Sequence, residues 1–214
     1  MGLIAAAAGC NDANKEPIPP APTARREALT ASGTATATAA PSPTVSHRVA
    51  PPAAPRTLCS GAPLDRAMPT EKLGHAQAPG APELGSAIAV GHGKWTWINL
   101  WAAWCGPCKE ELPRLQQWQA KLAANATFQF VSLDDDERQL LMFLEGQPAS
   151  GLKTTFWLPE GKTRDGWLSG LKINTSPELP VQILVNPQGR VHCIIEGAVE
   201  DGDFARVASI LAQR

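Results

Sequence analysis

The sequence predicts an α/β protein, a three-layer sandwich in which helices cover both faces of a mixed β-sheet. Two observations indicate this class. Short runs rich in β-branched and aromatic residues alternate with segments whose apolar residues recur at helical spacing. The alternation then ends in an antiparallel hairpin and a closing helix, which adds antiparallel strands to the parallel strands of the first part.

The predicted elements follow in chain order. Residues 95–101, WTWINLW, fit a short strand buried on both faces. Leu112, Leu115, Trp118 and Leu122 then recur at helical spacing. Two more strands are predicted over residues 127–133 and 154–158, with an N-capped helix over 134–146 between them. A hairpin with an NPQG turn follows over 181–195, and a last helix over 204–211.

The large aromatic side chains divide the chain into two regions. Every Trp and Phe lies at or beyond Trp95, and there is no Tyr among the 214 residues. A segment without large side chains cannot bury enough apolar area to offset its ordering entropy. Residues 11–79 are therefore predicted to be a disordered Pro/Ala/Thr-rich tether and a pre-domain segment, with 57–79 left open, and 80–214 to be one folded domain.

Charge and hydropathy argue against nucleic-acid binding and against a transmembrane helix. The formal net charge is -1, with no basic face, so the sequence gives nucleic acid no electrostatic attraction. No window approaches the 18 or so uninterrupted apolar residues that suggest a transmembrane helix.

The first ten residues, MGLIAAAAGC, resemble the end of a bacterial lipoprotein signal, in which small residues precede a cysteine that is lipidated. Ala7 stands where Leu is usual, and a basic n-region is missing. The expectation is a signal over residues 1–10 with lipidation of Cys10; the alternative is an ordinary start with an unrelated cysteine. A flexible tether of about 50–70 residues would then span roughly 40–50 Å.

Cys105 and Cys108 fall at a predicted strand-to-helix junction. Pro107 between them suits a first helical position, where its missing N–H costs nothing. Since a helix N-terminus favours a thiolate, Cys105 is placed to attack a disulfide and Cys108 to resolve the mixed disulfide. A zinc site would need four ligands, but no second C-x-x-C is present and the four histidines are scattered. A purely structural disulfide would close too short a loop to stabilise the fold much.

At these residues the chain resembles a known family. The motif WCGPC, Trp104–Cys108, is identical to that of thioredoxins, and residues 98–115 are similar to the TlpA/ResA group of membrane-tethered proteins. The resemblance covers about residues 82–214 and implies a thioredoxin fold with an extra strand-helix insert within 134–176. Trp157 and Trp167 of that insert either pack in the core or shape a partner surface.

The resemblance also implies roles for individual residues. It makes Trp104, Gly106 and Pro107 active-site support and places a helix kink at Pro113. It makes Pro180 the cis-proline of the active site, and Leu179 before it a backbone contact for an extended substrate. Like the motif residues, Leu179 and Pro180 are therefore expected to bind substrate or to support the active site.

Two positions bear on acid-base chemistry and two on structural pairing. Asn99 stands where cytosolic thioredoxins carry a buried Asp, and Glu111 occupies the place of a carboxylate typical of the TlpA/ResA group. Glu111 is therefore a candidate to move a proton at Cys108; the alternative is a solvated helix residue. Cys59 and Cys193 either form a structural disulfide or are a buried thiol and an unrelated cysteine.

The sequence thus predicts an extracytoplasmic thiol:disulfide oxidoreductase without metal or cofactor. Reduction of protein disulfides is the expected direction, because thioredoxin with the same Gly-Pro pair has a potential of about -270 mV. A reductant outside the cytoplasm implies a membrane electron donor as partner. One alternative is a thiol peroxidase, although Ala102 and Ile98 replace the Thr/Ser and Pro of its motif. Another is a non-catalytic binding or redox-sensing module.

Overall fold

The computed structural model describes residues 57–213. Within them lies one seven-stranded sheet with four α-helices and a short 3-10 helix. The strands are β1 (Arg66–Ala67), β2 (Gly74–Gln77), β3 (Trp95–Trp101), β4 (Ala126–Ser132), β5 (Thr154–Trp157), β6 (Val181–Val185) and β7 (Arg190–Glu196); the helices are α1 (Gly106–Leu122), α2 (Glu137–Gly146), α3 (Lys162–Gly170), α4 (Phe204–Leu211) and the 3-10 turn Asp201–Asp203.

The sheet is mixed, with the strand order β1-β7-β6-β3-β4-β5-β2. β3, β4 and β5 run parallel, whereas β6, β7 and the two edge strands join antiparallel to their neighbours. Buried side chains of α1, α2 and α4 pack with one face of the sheet, and those of α3 pack with the other. The predicted three-layer α/β class is confirmed.

β3 lies at the centre of the sheet, and all seven of its residues are buried. Trp97 and Trp101 pack with α1, α2 and α4, while Ile98 and Leu100 pack with α3. Alternate residues of a strand point to opposite faces, so a strand between two helical layers needs apolar residues on both. This explains the continuous apolar run in the sequence.

The predicted insert is β5 followed by α3. Trp167 of α3 is 1% exposed and packs in the core. Trp157 at the end of β5 is partly buried, and its Nε1 donates to the Asp134 carbonyl at 2.7 Å. The structure therefore assigns both side chains to packing.

The folded unit begins before the predicted boundary at residue 80. The pre-domain segment supplies both edge strands, β1 and β2, and buries Leu58 and Leu73 at 3% and 5% exposure. These strands have two and four residues and no large aromatic side chain. They join the sheet through backbone pairing with distant strands, which leaves little local pattern in the sequence. The predicted linker before residue 57 and the lipidation candidate Cys10 lie outside the described residues.

None of the helices within residues 57–213 has the length and apolar character needed to cross a membrane.

Candidate active site

The two motif cysteines lie where β3 gives way to α1. Cys105 is the N-cap of α1, with extended backbone angles, and its Sγ accepts the Cys108 N–H at 3.2 Å. The two sulfurs are bonded, with Cα atoms 5.3 Å apart. Cys105 retains 5% exposure and Cys108 none. Solvent therefore reaches Cys105, at the helix terminus, but not Cys108.

The other motif residues surround the helix terminus. Trp104 is 57% exposed, although it is a large apolar side chain. Gly106 and Pro107 start the helix, and a Cβ added at Gly106 would meet nothing within 4 Å. Pro113, at which the resemblance predicts a kink, lies inside α1. Trp104 thus places an exposed indole directly before the cysteine pair.

Pro180 lies at the same end of the sheet. The Leu179–Pro180 peptide bond is cis, and the Pro180 carbonyl accepts the Gly197 N–H at 2.9 Å. β6 starts immediately afterwards, and its Val181 pairs with Leu100 of antiparallel β3. Because β3 runs towards the motif and β6 runs away from it, Pro180 lies opposite the start of the cysteine loop.

Glu111 is buried at 0% exposure, whereas its neighbour Glu110 is exposed. The alternative of a solvated side chain therefore does not hold. Its Oε1 accepts the side-chain N–H groups of Asn99 at 2.7 Å and Gln182 at 2.9 Å, and its Oε2 accepts the Val199 N–H at 2.9 Å. Burial raises the pKa of Glu111 above its usual value, while the three donors and the Arg114 charge act in the opposite direction.

A second buried carboxylate, Asp134, accepts hydrogen bonds from the loop that leads to the cysteines. Both oxygens of Asp134 accept the Ala103 N–H, at 3.1 and 2.9 Å, and one accepts the Ser132 hydroxyl at 2.7 Å. Burial raises the pKa of Asp134, and the hydrogen bonds from Ala103 and Ser132 oppose this. Asp134 thus fixes the backbone two residues before Cys105.

The remaining cysteines of the described chain are bonded to each other. Cys59 precedes β1 and Cys193 lies on β7, with Cα atoms 5.5 Å apart and a sequence separation of 134. This bond joins the pre-domain segment to the sheet. Within residues 57–213 no group of three or more His, Cys, Asp or Glu side chains is arranged to hold a metal ion.

The sequence that forms this site matches a known family. A family model described as the AhpC/TSA family matches residues 85–194, just over half of the chain. The chain belongs to the AhpC/TSA family. Its similarity to two curated relatives confirms the predicted resemblance to the TlpA/ResA group of the thioredoxin superfamily.

The relatives of this AhpC/TSA family member align over part of their length. The thiol-disulfide oxidoreductase ResA of Oceanobacillus iheyensis is 29% identical over 111 residues, which cover 50% of this chain and 52% of that protein. The thioredoxin-like protein YneN of Bacillus subtilis is 32% identical over 63 residues, 28% of this chain and 37% of that protein. This chain therefore spans about half or less of their lengths. The solved structure of a thioredoxin-related protein from Neisseria meningitidis serogroup B has a TM-score of 0.49 and 19% identity, covering 65% of this chain and 99% of that one.

Sequence reasoning missed three members of the site in this AhpC/TSA family protein. Gln182 left a signal, since it is the one polar residue in the apolar run VQILV. Asp134 was assigned to the start of a helix, but the N-cap of α2 is Asp136, which accepts the Arg138 N–H at 3.0 Å. Val199 contributes its backbone, which no residue type reveals.

Proposed function

We propose that this chain is an extracytoplasmic thiol:disulfide oxidoreductase that reduces protein disulfides through Cys105 and Cys108. The observation that supports this most is the cysteine pair at the N-terminus of α1 with a buried carboxylate, Glu111, one turn further on. The similarity to a relative named thiol-disulfide oxidoreductase agrees with this activity.

The reaction starts from the dithiol form. The Cys105 thiolate attacks one sulfur of a substrate disulfide, forming a mixed disulfide while the other substrate sulfur leaves as a thiolate and takes up a proton. Deprotonated Cys108 then attacks the Cys105 sulfur and releases the second substrate thiol. Two electrons have passed to the substrate, and the protein holds the Cys105–Cys108 disulfide.

The helix terminus favours the first step. In the structure the Cys105 sulfur already accepts the Cys108 N–H, and it lies at the positive end of the dipole of the 17-residue helix α1. Both interactions stabilise a negative charge on this sulfur. Exposed Trp104 and the backbone of Leu179, next to cis Pro180, are the groups that we assign to substrate contact.

Glu111 serves the second step. It lies three residues after Cys108 on α1, so both side chains project from the same face of the helix. A buried carboxylate whose pKa is raised accepts a proton near neutral pH more readily than an exposed one. We assign to Glu111 the uptake of the proton that Cys108 loses when it attacks the mixed disulfide.

The expected direction and location complete the proposal. Gly106 and Pro107 between the cysteines are the pair of a reducing thioredoxin. Residues 11–56 would tether the domain to a membrane through lipidated Cys10, and a membrane electron donor would return the Cys105–Cys108 disulfide to the dithiol.

Trapping with Cys108→Ser tests the activity. This variant should hold disulfide-bonded partners on Cys105, whereas the matched control Cys105→Ser should hold none. The wild type should accelerate the reduction of insulin by dithiothreitol, and both variants should lose this activity. Equal capture by the two variants would contradict the assigned order of attack. Absence of insulin reduction together with consumption of hydrogen peroxide would replace the proposal with the thiol peroxidase alternative.

A further inference from the structure

Both backbone polar groups of Val199 are held by side chains from one turn of α1. Its N–H donates to Glu111 Oε2 at 2.9 Å, and its carbonyl accepts from Arg114 Nη1 at 2.8 Å. Glu111 and Arg114 are three residues apart, so they lie on the same face of the helix. Val199 itself is buried at 0% exposure in the loop between β7 and α4.

Arg114 fixes this loop at a second point. Its Nε donates to Asp201 Oδ1 at 2.7 Å, and its side chain is 25% exposed, against 87% for Asp201. The guanidinium group is a rigid fork that makes both contacts at once, which an ammonium group does not reproduce. Arg114 therefore holds the Val199 peptide at a fixed distance from α1.

We propose that Arg114 is a positioning residue for the thiol chemistry. By fixing the Val199 peptide, it keeps an N–H donor on Glu111 and so holds the carboxylate that accepts the Cys108 proton in its hydrogen-bonded position. The assignment rests on the proposed function in so far as Glu111 acts on Cys108. The other two donors to Glu111, Asn99 and Gln182, are paired residues of β3 and β6 and need no such support. Val199 is the donor whose position depends on a loop.

The charges around Glu111 give Arg114 a direct effect as well. Glu110 and Arg114 of α1 line the same cleft as Glu111, and Glu200 and Asp201 line it from the loop. The strands β3 and β6 contribute the neutral amides of Asn99 and Gln182, which donate to the carboxylate. Within the described chain, Arg114 is the one cation lining this cleft of about 360 Å³, which Glu111 shares with Glu110, Glu200 and Asp201. Its charge lowers the pKa of Glu111, so its removal takes away one of the four interactions that oppose the effect of burial.

The first experiment titrates Glu111 directly. Its carboxyl carbon is followed by ¹³C NMR in the Cys105→Ser/Cys108→Ser background, with and without Arg114→Met. Loss of the cation and of the fixed donor should raise the midpoint by about one pH unit. Arg114→Lys, which keeps the charge but not the fork, should give an intermediate shift. Lys162→Met, which removes an exposed cation on α3, should give none.

The second experiment follows the thiol step. Reduced protein with the cysteine pair intact is mixed with 5,5′-dithiobis(2-nitrobenzoate), and the second release of thionitrobenzoate reports attack by Cys108. The acid limb of its pH profile should move upward with the NMR midpoint. Unchanged midpoints in Arg114→Met and Arg114→Lys would overturn the inference even if the insulin assay succeeds. A shifted midpoint in a protein that does not accelerate insulin reduction would contradict the proposed function but support the positioning role of Arg114.

Folding of the variants is checked by far-UV circular dichroism. If Arg114→Met does not fold, Arg114→Lys and Asp201→Asn carry the test. Asp201→Asn removes the exposed ion pair but leaves the Arg114 contact with Val199, so it should not raise the midpoint. An upward shift in Asp201→Asn as large as that of Arg114→Lys would overturn the assignment, because the Val199 contact would then not be the cause.

Discussion

Removal of the Cys59–Cys193 bond should lower the free energy of unfolding by several kcal/mol. The bond closes a loop with a sequence separation of 134, and the chain-entropy model assigns about 5 kcal/mol to a loop of this length. The Cys105–Cys108 bond, with a separation of 3, constrains the unfolded chain far less. Since residual structure in the unfolded state reduces such values, we expect a loss of about 2–5 kcal/mol from Cys59→Ala/Cys193→Ala.

Besides the bond, the segment around β1 is held by burial of Leu58, by a hydrogen bond from Arg66 Nη1 to the Leu171 carbonyl at 2.6 Å, and by contacts with β7. β1 pairs with β7 through two residues, Arg66 with Val191 and Ala67 with Arg190. The Leu64 N–H donates to the His192 carbonyl at 2.9 Å, and Asp65 forms an exposed ion pair with Arg190. These contacts alone are expected to leave the segment in exchange with a detached state, so hydrogen exchange at β1 should accelerate in the variant.

The measurement is urea unfolding followed by tryptophan fluorescence. The variant and its parent both carry Cys10→Ala, Cys105→Ser and Cys108→Ser, so that they differ only at the bond. Reductant should lower the stability of the parent to that of the variant and leave the variant unchanged. A loss below about 1 kcal/mol, or two titratable thiols in the denatured, unreduced parent, would refute the reasoning.

Two further predictions concern the Glu111 network. Since burial raises the native pKa of Glu111, the native state holds this proton more tightly than the unfolded state. The contribution of Glu111 to wild-type stability therefore falls as the pH rises from about 4.5 through the native pKa. Glu111→Gln removes this dependence, so the stability of the variant relative to wild type should increase over that range by about 1.36 kcal/mol per unit of raised pKa, measured by urea unfolding across pH; a constant difference would contradict it. Gln182→Leu removes the acceptor of the Trp97 indole N–H, now 2.9 Å away, and should cost about 1–3 kcal/mol in the same assay. A variant as stable as wild type would mean that this indole finds another partner.

Much of the fold was predictable because its central elements carry their own signals. β3 is apolar on both faces, and α1 has its proline at the start and its apolar residues at helical spacing. The position of Cys105 and Cys108 follows from these two neighbours alone. The edge strands carry no such signal, because β1 and β2 owe their structure to backbone pairing with β7 and β5.

The candidate site was predictable to the extent that single residues identify it. The cysteine pair and Glu111 are recognisable from their motif and the family resemblance. Gln182 and Val199 are not, because each contributes through a contact more than 70 residues away in sequence from Glu111. The sequence leaves the pairing of Cys59 with Cys193 open for the same reason, because it does not indicate which distant residues meet in the fold.

The strand pair β3–β6 connects the parts of the site. Asn99 of β3 lies directly opposite Gln182 of β6, and both amides donate to the same oxygen of Glu111. β3 leads into the cysteine motif and β6 starts after Pro180, so the register of this one pair also sets the distance between the motif and the cis-proline loop. A slip of one residue would turn Gln182 to the opposite face and replace a donor to the carboxylate with an apolar side chain. The positions of the Glu111 carboxylate and of the cis-proline loop are thus fixed by a single strand register, which the buried hydrogen bonds among Trp97, Gln182 and Asn99 help to specify.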